Sequence, residues 1–377
     1  MPPRHRRDGM LRFSSQAHPG GPHPTAPGNP IPGRMRRRYS GMLKFVRSAA
    51  AAALSLVLVL GLSACADIDG NGDAKVLKMA LEIAPNALTT QMAQQAADQI
   101  KEETNGSVVV EIYPSGQLGS QRDFIESMIL GTIEIGYVSA SSVENFEPEF
   151  VLYDIPFTVF GPEHAETLWN SDISLEVQQR FLEEQGIRTL GMIDCGPRNI
   201  YTTEEVHSSG DFSKLTMRVA DVAGLINLFD ALGANPTVTS FNEIYTAMQT
   251  GVVNGFEIGL ESVLSNNLQE VVDYCVETCH TYTIDCFLMS EKAYQRLTPE
   301  EQEIVTRAFA QASADQRRMF NENLVGYKEE LAAAGVETIQ LSDEEMDKLN
   351  EMAQPAIEKS ISGIFDPSIV DEIRAMG

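Results

Sequence analysis

The sequence predicts an α/β protein built as two lobes. Strand-like and helix-like segments alternate along the chain, which argues for sheet layers covered by helices. From Cys65 onward there are 313 residues, enough for two cores at roughly 150 residues per domain. A helical pattern opening at Thr298 and running towards Ala334 would span about 50 Å at 1.5 Å per residue. That is too long for one small lobe, so the helix is expected to lean across both, with Gly326 as a bend point.

The elements follow in order. Residues 76–83 read as a buried strand, 89–104 as an amphipathic helix and 107–113 as a second strand of alternating Val, Glu and Ile, which makes a βαβ opening. Residues 123–130 give a helix, 133–138 a strand, and Trp169 lies in a helix beginning near Pro162. The pattern restarts with strands at 190–193 and 215–219, a helix at 223–232 and a strand at 236–238. Residues 271–287 favour strand at their later end, where Val, Thr and Tyr accumulate. Thr298-Pro299-Glu300-Glu301 is a helix start, with Thr298 as N-cap, Pro at the first position and Glu301 as capping-box partner.

The amino-terminal region reads as an address. Lys44 and Arg47 precede an apolar run over 49–62, closed by Leu62-Ser63-Ala64-Cys65, the order of a lipoprotein export signal. The run falls short of the ~20 residues of a membrane-spanning helix. Residues 1–41 hold eight arginines among many Pro and Gly and cannot pack a core, so Met42 is the expected start. The reading is then 1–41 as an upstream extension, 42–64 as signal peptide and 65–74 as an Asp/Gly-rich linker. The mature protein is expected outside the cytoplasm, anchored by lipid on Cys65.

Composition narrows the partners. The whole chain carries a net charge of −25, but residues 1–64 hold ten basic side chains and one acid, leaving 52 acids against 18 basic residues, near −34. Nucleic acid is excluded as a partner. An anionic ligand would need a local cation, and arginines are few enough to inspect singly. Cys195, Cys275, Cys279 and Cys286 form no CxxC pair and have no His at metal-ligand spacing, so no metal is expected. Cys275 and Cys279 would stand about 13 Å apart in a strand, beyond the ~7 Å reach of a disulfide, yet adjacent on a helix turn. The residues alone leave that bridge open.

No catalytic constellation emerges. There is no glycine-rich phosphate loop, no nucleophile elbow and no histidine pair on one helical face. His164, His207 and His280 are scattered, and Cys195 has no assured His partner. No cofactor is implied, and the chain is not read as an enzyme. The informative residues are Arg198, in Gly196-Pro197-Arg198, and Arg218, in Leu215-Thr216-Met217-Arg218-Val219. An Arg in an apolar strand must meet an anion, and its planar fork matches a carboxylate. That anion is either an internal acid or a bound one.

Three motifs in order decide what the chain resembles: Ile112-Tyr113-Pro114-Ser115-Gly116-Gln117-Leu118-Gly119, the Arg218 segment, and the run from Phe241-Asn242-Glu243-Ile244-Tyr245 to Val253-Asn254-Gly255-Phe256-Glu257. Over nearly all of residues 76–360 the sequence resembles the DctP-like solute-binding proteins of tripartite ATP-independent periplasmic (TRAP) transporters. The resemblance implies a periplasmic-binding-protein-like fold, two α/β lobes joined by crossing strands and a long helix, closing on a small-molecule carboxylate. Its lobes would be 75–195 plus 284–323 and 196–283 plus 324–377. Arg218 looks like the main carboxylate clamp, Arg198 like a second arginine and Phe241 like a pocket wall. Glu82 and Ser139 match first-lobe pocket positions, while Glu257 and Ile258 match the segment entering the pocket after the Asn254-Gly255 turn. Ile258 stands where several relatives place Asn or Trp, and Phe256 adds bulk, which hints at an acid less hydroxylated than a sialic or uronic acid. The implied partners are one small and one large TRAP membrane subunit. A sensing lipoprotein of the same fold, or an ATP-driven importer's binding protein, would be separated by neighbouring genes.

Overall fold

The computed structural model describes residues 74–377. The expectations placed on the signal segment, the tether and lipid attachment at Cys65 lie outside the described residues. Among these, no helix is long and apolar enough to cross a membrane.

The first part of the chain runs β1 (Lys75–Ala80), α1 (Leu88–Glu103), β2 (Val108–Tyr113), α2 (Gln121–Leu130), β3 (Ile135–Ser139), α3 (Ala140–Val143), α4 (Pro162–Trp169), α5 (Asp172–Gln185) and β4 (Ile187–Thr202). It continues with β5 (Thr216–Val219), α6 (Ala223–Ala231), β6 (Asn235–Val238), α7 (Ile244–Gln249), β7 (Gly255–Gly259), α8 (Leu260–Ser265), β8 (Tyr274–Val276) and β9 (Tyr282–Ser290). The last elements are α9 (Glu291–Tyr294), α10 (Pro299–Ala333), β10 (Glu337–Ile339), α11 (Asp343–Ile361) and α12 (Ile369–Arg374).

The strands order as β2-β1-β3-β9-β4-β7-β5-β6, with β8 on β4 and β10 on β8. β1 pairs in parallel with β2 and β3, and β5 in parallel with β6 and β7, so each half is a βαβ-type sheet. β4 joins them: Ile187 to Pro197 lie antiparallel to β9, and Arg198 to Thr202 lie antiparallel to β7.

β4 is the main departure from the sequence reading, which expected a strand only at 190–193. The strand continues for 16 residues, with register irregularities at Thr189/Gly191 and Asp194/Gly196. The two glycines let α10 lie against it. A β-carbon at Gly191 would sit 2.1 Å from Ser313 Oγ, and one at Gly196, where φ is +75°, would sit 2.6 Å from Phe320 Cζ.

α10 has 35 residues, about 52 Å at 1.5 Å per residue, and is continuous through the expected bend point at Gly326. Its early face, through Val305, Ala308 and Phe309, packs with α1 and the β1–β3 sheet. Its far end places Leu331 in a separate cluster with Ile244, Val263 and Phe256. Thr298 caps the helix and closes a capping box with Glu301.

Glu301 also ties the helix start to the first sheet. It accepts from Lys75 Nζ at 2.6 and 2.9 Å and from Ser107 Oγ at 2.8 Å. Burial alone would raise its carboxyl, but these bonds and the Thr298 amide hold it down near 2. A depressed carboxylate stabilises fully above its unfolded value and loses that contribution as pH falls towards the folded value. Glu301→Gln is therefore expected to cost about 2 kcal/mol in urea unfolding at pH 7. By pH 3 the gap to the parent should narrow to about half or less, and a gap that does not change with pH would contradict the assignment.

Candidate functional site

The halves of the sheet flank a partly open cavity of about 230 Å³. Arg218 reaches it because β5 alternates: Met217 and Val219 face the core, which leaves Arg218 on the opposite face. The side chain is 4% exposed. Its Nε donates to the Thr239 carbonyl at 3.0 Å, and among the described residues no carboxylate lies within ion-pair distance of it. Burial pulls its guanidinium down to about 10, helped by the neighbouring charge of Arg198 and opposed by Glu257 and Glu82.

Arg198 also lines the cavity, but its charge is already met. Nε donates to Glu257 Oε2 at 2.5 Å and Nη2 to Oε1 at 2.7 Å, a bidentate pair. β4–β7 register sets Arg198 opposite Gly259 and Ile200 opposite Glu257, so the pair bridges adjacent strands diagonally. Burial would raise the Glu257 carboxyl, yet Arg198 and a hydrogen bond from His280 hold it near 2. His280 Nε2 lies 3.4 Å from Glu257 Oε2 and its Nδ1 lies 2.8 Å from Thr278 Oγ1. Burial pushes the imidazole down, towards the neutral form.

The other expected residues divide. Glu82, Ser139, Phe241 and Ile258 all line the cavity with the two arginines. Glu257 does not: it is fully buried behind the wall as the partner of Arg198. Phe256 is also fully buried and stacks on Tyr201 at 5.4 Å, so it adds no bulk to the cavity. The strand alternation of β7 puts Glu257 on one face and Phe256 with Ile258 on the other. Of these three, Ile258 reaches the space, beside Gly259 at the strand end.

The glycine-containing turn after β2 explains how Glu82 is held. Ser115 and Gly116 amides donate to the carbonyls of Ile83 and Leu81 at 2.9 Å each, pinning the segment that carries Glu82. Burial lifts the Glu82 carboxyl to about 7, against the pull of Arg218 and a hydrogen bond from Gln121. The same turn touches the other half of the molecule. A β-carbon at Gly116, where φ is +65°, would come 2.1 Å from Asn242 Nδ2. Leu88 N donates to Glu261 Oε1 at 3.1 Å, Asn145 Nδ2 to the Asp221 carbonyl at 2.9 Å, and Arg122 Nη1 to Asp221 Oδ2 at 3.4 Å, so these contacts bridge the rim.

The family model described as bacterial extracellular solute-binding protein, family 7, named DctP, matches residues 79–363. The chain belongs to the DctP family. A solute-binding protein of Roseobacter denitrificans is 29% identical over 248 residues, 65% of this chain and 76% of the relative. A TRAP periplasmic solute-binding protein from Bordetella bronchispeptica, whose density is assigned as pantoate, is 26% identical with a TM-score of 0.75, over 80% of this chain and 99% of that one. The sugar acid binding protein of Advenella mimigardefordensis, in complex with galactonate, is 25% identical with a TM-score of 0.76, over 81% and 100%. The chain is thus a DctP-type TRAP solute-binding protein with the two-lobed α/β fold of its relatives.

Sequence reasoning missed several residues that line the DctP-type cavity: Gln121, Tyr137, Cys195, Thr239, Thr283 and Asp285. Gln121 Oε1 accepts from Ser139 N at 2.8 Å and from Ser139 Oγ at 3.1 Å, which fixes both side chains. Asp285 carried the same signal as Arg218, a charge inside an apolar strand, and could have been found by the same argument. The cysteines Cys195, Cys275, Cys279 and Cys286 are all free thiols, which settles the open bridge. Among the described residues no group of His, Cys, Asp and Glu is placed to hold a metal ion.

Proposed function

We propose that this protein captures a small organic acid outside the cytoplasm and delivers it to the small and large membrane subunits of a TRAP transporter. The observation that carries the reading is Arg218, a buried guanidinium facing the cavity and lacking a carboxylate partner among the described residues. Arg218 clamps the solute carboxylate, with Arg198 beside it as an already neutralised wall that can add a hydrogen bond. Phe241 and Ile258 supply apolar walls, and Glu82 with Ser139 face the clamp from the other half. The two lobes meet along β4 and β9, with lobe limits at 75–195 plus 284–323 and 196–283 plus 324–377. The rim contacts at Asn242, Glu261 and Asp221 are those of the closed form, which a membrane partner would recognise. Closure must be driven by contacts made only when both halves touch the solute, since equal affinity for open and closed states shifts nothing. Lipid on Cys65 would keep the protein next to its transporter.

Hydroxyl-rich walls at Ser139, Ser141, Ser142, Ser240 and Ser262 favour a hydroxylated acid, and the relatives with pantoate and galactonate agree in chemistry. The test is a thermal-shift screen of dicarboxylates, 2-oxo acids, hydroxy acids, aromatic acids and sugar acids on residues 65–377. An acid at 100 times its dissociation constant adds about 2.7 kcal/mol of stability and should raise the melting temperature by several degrees. A screen in which no acid shifts the melt would overturn the reading.

A further inference from the structure

β9 carries a polar face that the arginine clamp does not use. Its alternation sends Ile284, Cys286 and Leu288 into the core, and Thr283 and Asp285 to the cavity side. Asp285 is 7% exposed and its two oxygens are treated unequally. Oδ2 accepts a short hydrogen bond from Tyr137 OH and a second from Cys195 Sγ at 3.4 Å, while Tyr137 OH and Cys195 Sγ themselves lie 3.4 Å apart. Oδ1 has no hydrogen-bond partner among the described residues, and neither has Thr283 Oγ1 two residues earlier.

A buried acceptor left without a donor costs about 1–3 kcal/mol. Here the orphaned atoms belong to neighbouring residues on one wall of a solute cavity. Oδ1 is itself buried, and because the carboxylate torsion is soft a small turn that moves both oxygens, with the Tyr137 bond adjusting, would present it to a ligand hydroxyl. An ionised carboxylate accepts only, and a threonine hydroxyl can donate or accept. Burial raises the Asp285 carboxyl to about 6, against the hydrogen bonds of Tyr137 and Cys195, so it is mostly ionised at neutral pH.

Resting on the reading of the cavity as a solute site, we propose that Thr283 and Asp285 form a second, hydroxyl-selecting subsite in the cavity that holds the clamp. There Asp285, oriented by Tyr137 and Cys195, accepts a hydrogen bond from a hydroxyl of the bound acid. The site therefore rejects a bare alkanoate of the same length, because that acid would leave the buried carboxylate without a donor. Tyr137 and Cys195 are positioning residues.

The experiment is calorimetry with matched acids, galactonate against hexanoate and pantoate against 3,3-dimethylbutanoate, on the parent, Asp285→Ala, Tyr137→Phe and Arg218→Ala. The parent is expected to bind the hydroxylated member of at least one pair about ten-fold or more tightly than its bare partner. Asp285→Ala should lose about ten- to hundred-fold for the hydroxylated acid with little change for the bare one. Tyr137→Phe, which keeps the carboxylate but removes its orienting donor, should show a smaller loss of the same selectivity, and it carries the test if Asp285→Ala fails to fold. Equal losses for both members of a pair, or no loss, would overturn the subsite and leave the clamp standing. A parent that prefers the bare acid overturns the subsite as well. If the parent binds no member of either pair, the comparison is made with the acid giving the largest thermal shift and its deoxy analogue, and if Arg218→Ala leaves binding intact, the reading of the cavity fails instead.

Discussion

Arg218→Ala is expected to weaken binding of the solute by about 2–5 kcal/mol, which is roughly thirty- to several-thousand-fold. The size follows from burial. The guanidinium is 4% exposed and held at the Thr239 carbonyl by Nε alone, so its remaining donors can meet a carboxylate as a fork. Without the arginine, the solute carboxylate would enter a poorly hydrated space beside Glu82 with no counter-charge. Arg218→Lys should fall between the two, since it keeps the charge and loses the fork. The unloaded variant should be no less stable than the parent, because removing a desolvated cation that lacks an ion-pair partner relieves a cost. Calorimetry with the acid giving the largest thermal shift measures the first effect, and melting without acid the second. Unchanged affinity in Arg218→Ala would remove the clamp from the account.

The second large effect concerns stability. Glu257→Gln is expected to destabilise the protein by about 3–5 kcal/mol, the cost of leaving one member of a buried ion pair without its partner. Arg198 would keep its charge beside a neutral His280 and a repelling Arg218, with only the Asp154 and Asp285 carboxylates, neither within ion-pair distance, left to offset it. Replacing both members, as Arg198→Met with Glu257→Leu, should cost less than the single change, because an apolar pair leaves no stranded charge. Urea unfolding of the three proteins at neutral pH measures this. A loss below about 1 kcal/mol for Glu257→Gln would show that the pair is not desolvated as its burial implies.

Much of this arrangement was legible in the chain. Arg218 stood out because a charge between Met217 and Val219 has to be met by an anion, and the capping box at Thr298 announced α10 with its start correct to the residue. Arg198 showed the limit of that logic. Composition gives no means of knowing that the residue diagonally across β4 and β7 is Glu257, because strand register is a tertiary property. The same limit hid β4. Gly191 and Gly196-Pro197 look like breaks in one strand, and only their contact with Ser313 and Phe320 on a helix a hundred residues later gives them a packing reason. Phe256 was misplaced for a simpler reason: a neighbour of a pocket residue in a strand points away from it or, two positions on, deeper along the same face. Tyr137, Cys195 and Asp285 come from three strands brought together by the β3-β9-β4 order. Their joint role has no local signature.

The most direct test is the crystal structure of residues 65–377 with the acid selected by thermal shift. The account predicts that acid inside the cavity, its carboxylate oxygens within hydrogen-bond distance of the Arg218 guanidinium, and the Arg198–Glu257 pair intact behind it. An acid bound elsewhere, or one whose carboxylate faces away from Arg218, would contradict it.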